Sequence, residues 1–350
     1  MSSAWIHGRR WDLTWLIGSA IVVPVGMLFV WAGASSDLVN LVVTALMGGP
    51  HLFSTFLTTY LDPRFRKRHG LALGAITILV PAFVSWMALR HFMWLMTFFV
   101  LWASLHVVQQ NSYLAEVYRR RSGRRDPGWS RLLDIGLLFL SFYPVASYKL
   151  VHDDFMLGSV RILMPHLLKN ELTPWLISIA FTAALLGWIA KTLVEQRRGV
   201  LQAPKTILIA VTSMITFVVP CAASGERLEL AFQTVNAWHS IQYLGIIWLV
   251  LALRRERGEL GSPFVARLAG PGRPAAAFYG LCFLLTASLL GLVYGVARLD
   301  PLGVSPPQYY YMGVLSALFI HYALDSWLFF AAGREEAQPD TIPLATPSRA

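Results

Sequence analysis

Apolar residues in this chain form neither the one-sided stripe of a soluble helix nor the alternation of a half-buried strand. They come in long runs, separated by short polar stretches in which arginine recurs. About 20 apolar residues, at 1.5 Å each, carry a helix across a hydrocarbon layer about 30 Å thick. The pattern predicts ten such helices, over 12–33, 38–61, 71–90, 92–117, 130–148, 173–195, 204–221, 228–253, 276–297 and 309–332. The fold class that follows is an all-α integral membrane protein, a single polytopic membrane domain over 1–333. The polar stretch 334–350, with three prolines, reads as a disordered cytoplasmic tail. The longest outer connection, 149–172, is expected to hold a short interfacial helix.

Composition agrees with this picture. Hydrophobic residues make up 56% of the 350 and charged residues only 14%, against roughly 25% in a soluble domain. A net charge of +10 would suggest nucleic acid in a soluble protein. Here the basic residues gather at every second helix boundary: Arg9–Arg10, Arg64 to Arg68, Arg119 to Arg125, Arg197–Arg198, Arg254 to Arg257, and Arg334. Of the 29 lysines and arginines, all but six fall on that side; the six are Arg90, Lys149, Arg161, Lys169, Arg227 and Arg298. Basic residues collect in cytoplasmic loops, so both termini are expected in the cytoplasm and the number of spans is even. The charge therefore reports topology, and no nucleic-acid partner is expected. No small-residue cleavage site follows the first apolar run, which is read as a retained helix in a bacterial-type inner (plasma) membrane. Cys221 and Cys282 form no ligand spacing and no disulfide framework.

Candidate chemistry comes from the histidines. Four of them, His51, His106, His239 and His321, lie inside predicted spans, each in a helix running from the outer face to the cytoplasm. His51, His106 and His321 stand thirteen residues before the basic residue that ends their helix, and His239 fifteen. All four are thus roughly 20 to 23 Å above the cytoplasmic charges, near mid-membrane. Polar groups at that depth are costly and are kept in company or for function. Each has polar neighbours three or four residues away, hence on the same helix face: Thr55 after His51, Gln109 after His106, Asn236 before and Gln242 after His239, and Asp325 after His321. Four imidazoles at one depth predict a metal site. Thr55 and Asn236 are expected to hold outer ring nitrogens, and Asp325, Gln109 and Gln242 are the candidate catalytic groups. Gly48-Gly49-Pro50, directly before His51, predicts a helix break, because proline lacks an N–H and clashes with the preceding turn. His7, His69, His91, His152 and His166 fall in loops or at helix ends and read as solvent or headgroup contacts. Asp134 is expected at the interface, and Lys191 is expected to snorkel to the cytoplasmic surface.

The segment Gly49-Pro50-His51 is similar to the Pro-His-Gly segment of the Brp/Blh-type β-carotene 15,15′-dioxygenases, with Leu52 where that family has glycine. The resemblance implies a multi-pass, multi-histidine membrane metalloenzyme with His51 as an iron ligand. Imidazole suits iron, copper and zinc; a lipid-soluble substrate meeting dioxygen inside the bilayer favours iron, with copper and zinc as alternatives. The function expected is a non-haem iron oxidoreductase or oxygenase acting on an isoprenoid, carotenoid, quinone or other lipid. Two other classes stand beside it. One is a transporter or proton-coupled channel, which also uses midplane ionisable groups and broken helices. The other is a haem-binding electron-transfer protein, which ranks lower because stacked haems would need histidines at different depths. Partners are a lipid-soluble small molecule and membrane lipids.

Overall fold

A computed structural model describes residues 5–123, 126–158, 160–268 and 275–331; the expected tail over 334–350 lies outside them. The described chain is almost wholly helical: α1 (Arg9–Trp31), α2 (Ser36–Thr58), α3 (Pro63–Arg90), α4 (Phe92–Arg121), α5 (Gly128–Val151), α6 (Leu172–Arg197), α7 (Ala203–Ala222), α8 (Arg227–Glu256), the short α9 (Pro263–Leu268), α10 (Ala275–Leu299) and α11 (Pro306–Ala331). Among the described residues, 9 of these helices are long and apolar enough to cross a membrane. The tenth predicted span corresponds to α11, 26 residues long. The protein is a multi-pass helical membrane protein.

The chain divides into two units. Of the described residues, one comprises 5–40 together with Val100–Gln242; the other comprises Leu41–Phe99 and those from Tyr243 to Ala331. In the first, α5 packs on α6 and α7. Ala20, Val23 and Met27 of α1 join Ile215 and Val219 of α7 and Ala231, Val235 and Trp238 of α8 in an apolar core. Gly26 is needed there, since a Cβ would lie 2.6 Å from Thr234 Cγ2. The start of α1 is tied down by Asp12, fully buried. Its carboxylate accepts the backbone N–H groups of Ile6, His7 and Gly8 and the Tyr118 hydroxyl at 2.7 to 3.3 Å.

Two expectations about this unit change. The predicted single helix over 130–148 is interrupted at Ser141 and Phe142, giving Gly128–Leu140 and Tyr143–Val151. Pro144 opens the second piece, where a missing N–H costs nothing. Among its described residues, the segment 149–172 holds a two-residue antiparallel pairing (Met156–Leu157 with Val160–Arg161) and a 3-10 turn, His166–Leu168, in place of the expected short helix. Lys149 anchors that segment by donating to Asp154 and Ser224, and its hydrogen bond holds the Asp154 carboxyl below its usual range.

In the second unit, α11 packs on α3, α2 and α10, and α2 packs on α10. Asp62 caps α3 by accepting the Arg64 N–H at 2.9 Å, and it pairs with Arg254 of α8 at 2.6 Å, both side chains buried. The break expected at Gly48-Gly49-Pro50 takes a specific form. Residues Thr44–Gly48 make a π-helical turn, after which α-helical geometry resumes at Gly49. Pro50 cannot donate to the carbonyl of Leu46, four residues earlier. That carbonyl instead accepts the Tyr279 hydroxyl of α10 at 2.6 Å. Gly49 lets α10 come close, since a Cβ there would lie 2.1 Å from Thr286 Cγ2.

Candidate metal centre

The four histidines of the predicted spans fall two to each unit, and all four are buried. In the second unit, α2 presents His51 and Thr55 one turn apart, and α11 presents His321 and Asp325 with the same spacing. Facing positions four apart lie on one side of a helix, so each helix contributes a pair. The ligand atoms of His51, His321 and Asp325 all lie within 4.8 Å of one another, a buried group able to hold a metal ion. The His51 and His321 rings are perpendicular, with centroids 4.4 Å apart.

Behind these side chains sits a compact set of hydroxyls. Thr55 Oγ1 lies 2.7 Å from His321 Nδ1, 3.0 Å from Asp325 Oδ1 and 2.6 Å from the Tyr243 hydroxyl. Tyr243 donates to Asp325 Oδ1 at 2.6 Å. Both hydroxyls therefore reach Asp325 Oδ1, and Thr55 Oγ1 also lies beside His321 Nδ1. Thr55 thus serves His321 and Asp325 across the helix interface, whereas its place in the sequence pointed to His51. Tyr243, four residues after His239 on α8, was not singled out from the sequence. Its spacing was available, but a tyrosine among 12 carries little weight alone.

In the first unit, His106 of α4 and His239 of α8 have perpendicular rings with centroids 4.9 Å apart. Beside them Gln110 donates to the Gln242 carbonyl oxygen at 2.5 Å and to the His239 backbone carbonyl at 3.4 Å, and Gln242 donates to the Leu16 carbonyl at 2.6 Å. Gln110 is fully buried while Gln109 is half-buried, and the network thus joins the expected Gln242 to Gln110, a neighbour of Gln109. Asn236 donates to Gln233 at 3.1 Å and accepts from Ser240 at 3.5 Å. Five residues after His106, Asn111 accepts from Thr212 at 3.1 Å.

Of the remaining histidines, His7, His91, His152 and His166 are exposed, and His69 packs half-buried against Trp327. Asp134 and Lys191 are each 4% exposed and pair with one another, and Asp134 also takes Lys205 at 3.0 Å and the Trp188 indole N–H at 3.0 Å.

Comparison with protein families, with curated proteins and with solved structures finds no match to this chain.

Proposed function

We propose that the protein is a membrane-embedded metalloenzyme, a non-haem iron oxidoreductase or oxygenase acting on a lipid-soluble substrate. The observation that carries this reading is the buried His51, His321 and Asp325 group, whose ligand atoms lie within 4.8 Å of one another. Histidine nitrogen with one carboxylate oxygen is a donor set suited to iron and other first-row metals. Ring spacing supports it. With a metal–nitrogen bond of about 2.0–2.1 Å, the ring centroid stands about 3.2 Å from the metal, so ligands at 90° to 110° have centroids roughly 4.5 to 5.2 Å apart. His51 with His321, at 4.4 Å, and His106 with His239, at 4.9 Å, are close to that range. Two axial ligands on opposite faces of a haem would stand about 6 Å apart or more, which favours adjacent coordination over haem.

His106 and His239, the pair within the first unit, are proposed as metal ligands as well, on the strength of the depth that the sequence gives them. A metal held there would supply redox chemistry toward dioxygen in a place that soluble substrates do not reach. The chain's own contribution is to fix the ligands: Thr55 holds the Nδ1 side of the His321 ring, and Gln110 and Gln242 brace the turn that carries His239. A carotenoid, other isoprenoid, quinone or lipid is the substrate class that a mid-membrane centre would meet. Elemental analysis of the detergent-purified protein, with its absorption spectrum, tests the reading. About one equivalent of iron without a haem Soret band is expected; metal-free protein, or a Soret band, would reject it.

A further inference from the structure

We propose that one end of the second unit, built from the start of α3 and the segment after α8, is a binding surface for the headgroups of anionic phospholipids. None of its residues belongs to the metal centre. The surface is assembled from two basic runs that the fold locks together.

The two runs stand nearly 200 residues apart in the chain and meet through specific contacts. Asp62 and Arg254 form a buried pair, so each cancels the other. Arg64 Nη1 donates to the Glu259 carbonyl at 3.0 Å. Gly261 lies against the same turn, since a Cβ there would stand 3.1 Å from Asp62 Oδ1 and 3.3 Å from Arg64 Cγ. Around this junction the charge is strongly one-sided. Apart from the buried pair, 62–68 and 254–268 carry Arg64, Arg66, Lys67, Arg68, Arg255, Arg257 and Arg267 against Glu256 and Glu259.

Local structure turns these charges outward. The backbone leaves helical geometry at His69, which sets 63–68 off as a short helical piece ahead of the span. Phe65 is the anchor of that piece. It is buried, with ring centroids 4.6 Å from His69 and 6.1 Å from Trp327. With Phe65 inward, Arg64, Arg66, Lys67 and Arg68 are exposed. Helix α9 follows the same plan. Ser262 caps it by accepting the Val265 N–H at 3.3 Å, and Val265 is buried. Phe264 and Arg267, three apart and so on one face, are exposed.

The chemistry selects the partner. Guanidinium groups bind phosphate oxygens through paired N–H donors, and basic clusters beside the end of a membrane span attract anionic lipid. This surface stands where α3 begins and α8 ends, the level at which membrane helices meet headgroups. Phe264 distinguishes a lipid from a soluble polyanion. An exposed aromatic ring beside an arginine on a short helix suits the boundary between headgroups and acyl chains, and a free phosphate or a nucleic acid has no use for it there.

The test titrates the full-length protein in detergent with dioleoyl phosphatidylglycerol or dioleoyl phosphatidylcholine and counts bound lipid by native mass spectrometry. Wild type should hold the anionic lipid about tenfold or more tightly than the zwitterionic one. A basic residue at such a surface contributes about fivefold, so Arg66→Gln with Lys67→Gln should weaken the anionic lipid by about 10- to 30-fold. Binding of the zwitterionic lipid should not change. Arg197→Gln with Arg198→Gln is an equal change of charge at exposed positions of the first unit, and it should alter affinity by less than about twofold. If the first pair does not fold, Arg257→Gln with Arg267→Gln decides by the same criterion. Equal affinity of the wild type for both lipids would overturn the proposal. So would an equal loss in the Arg197 and Arg198 pair, which would show attraction to net charge alone. Displacement of the bound anionic lipid by glycerol phosphate or a short RNA at equal concentration would overturn it too, because the lipid would then not be the partner.

Discussion

A charged side chain inside a bilayer is retained only where opposite charges and hydrogen bonds surround it, and Asp134 illustrates the requirement. Its carboxylate holds Lys191, Lys205 and the Trp188 indole at once, and Lys205 also reaches Asp126 at 3.0 Å. Replacing Asp134 by alanine leaves two buried lysines short of a counter-charge. Such a deletion costs about 3–5 kcal/mol and should appear as a large drop in thermal midpoint in detergent. A loss below about 1 kcal/mol would mean that the lysines find water or lipid headgroups after all. The residue types and depths were legible in the sequence, but the pairing was not. Asp134, Lys191 and Lys205 stand on three helices, and no spacing rule links residues across helices. Thr55 shows the same limit, since its neighbour along the chain is His51 and its hydrogen-bond partners lie on α8 and α11.

At the level of the helix, α2 shows how a proline is accommodated in lipid. A missing backbone donor must be replaced from elsewhere, and Tyr279 replaces it at the Leu46 carbonyl. Tyr279→Phe should therefore destabilise the protein by about 1–3 kcal/mol, the cost of a carbonyl left without a partner where no water replaces it. In a Pro50→Ala background the same change should cost less, because alanine restores an N–H that can reach Leu46. A double-mutant cycle on thermal stability measures the difference; additive effects would mean that the hydroxyl and the proline act independently. The Gly-Gly-Pro run marked this break plainly. The interruption of α5 was marked as well, by Pro144, but an apolar run continuing through it masked the signal. The strand pairing over 156–161 is two residues on each side, too short to leave any periodicity. Helix existence was legible because hydrocarbon thickness imposes a length, whereas breaks depend on single residues.

For the molecule as a whole, the arginine pattern predicts which side each loop occupies. Reporters fused within 62–70 and 298–308 should respond from opposite sides, the first cytoplasmic. Response from the same side would discard the topology and, with it, the common depth of the four histidines. That depth is an expectation the sequence supplies, because helix rise is constant. The participation of Asp325 beside His51 and His321, and the hydroxyls behind them, required the packing of three helices. The most direct test is metal content by inductively coupled plasma measurement across seven single alanine variants. Four remove His51, His106, His239 or His321; three remove His91, His152 or His166, which are exposed. Metal per protein should fall in each of the first four and remain at the wild-type level in the other three. Equal metal content in all seven would contradict a histidine-held centre and leave the buried imidazoles as helix-packing residues.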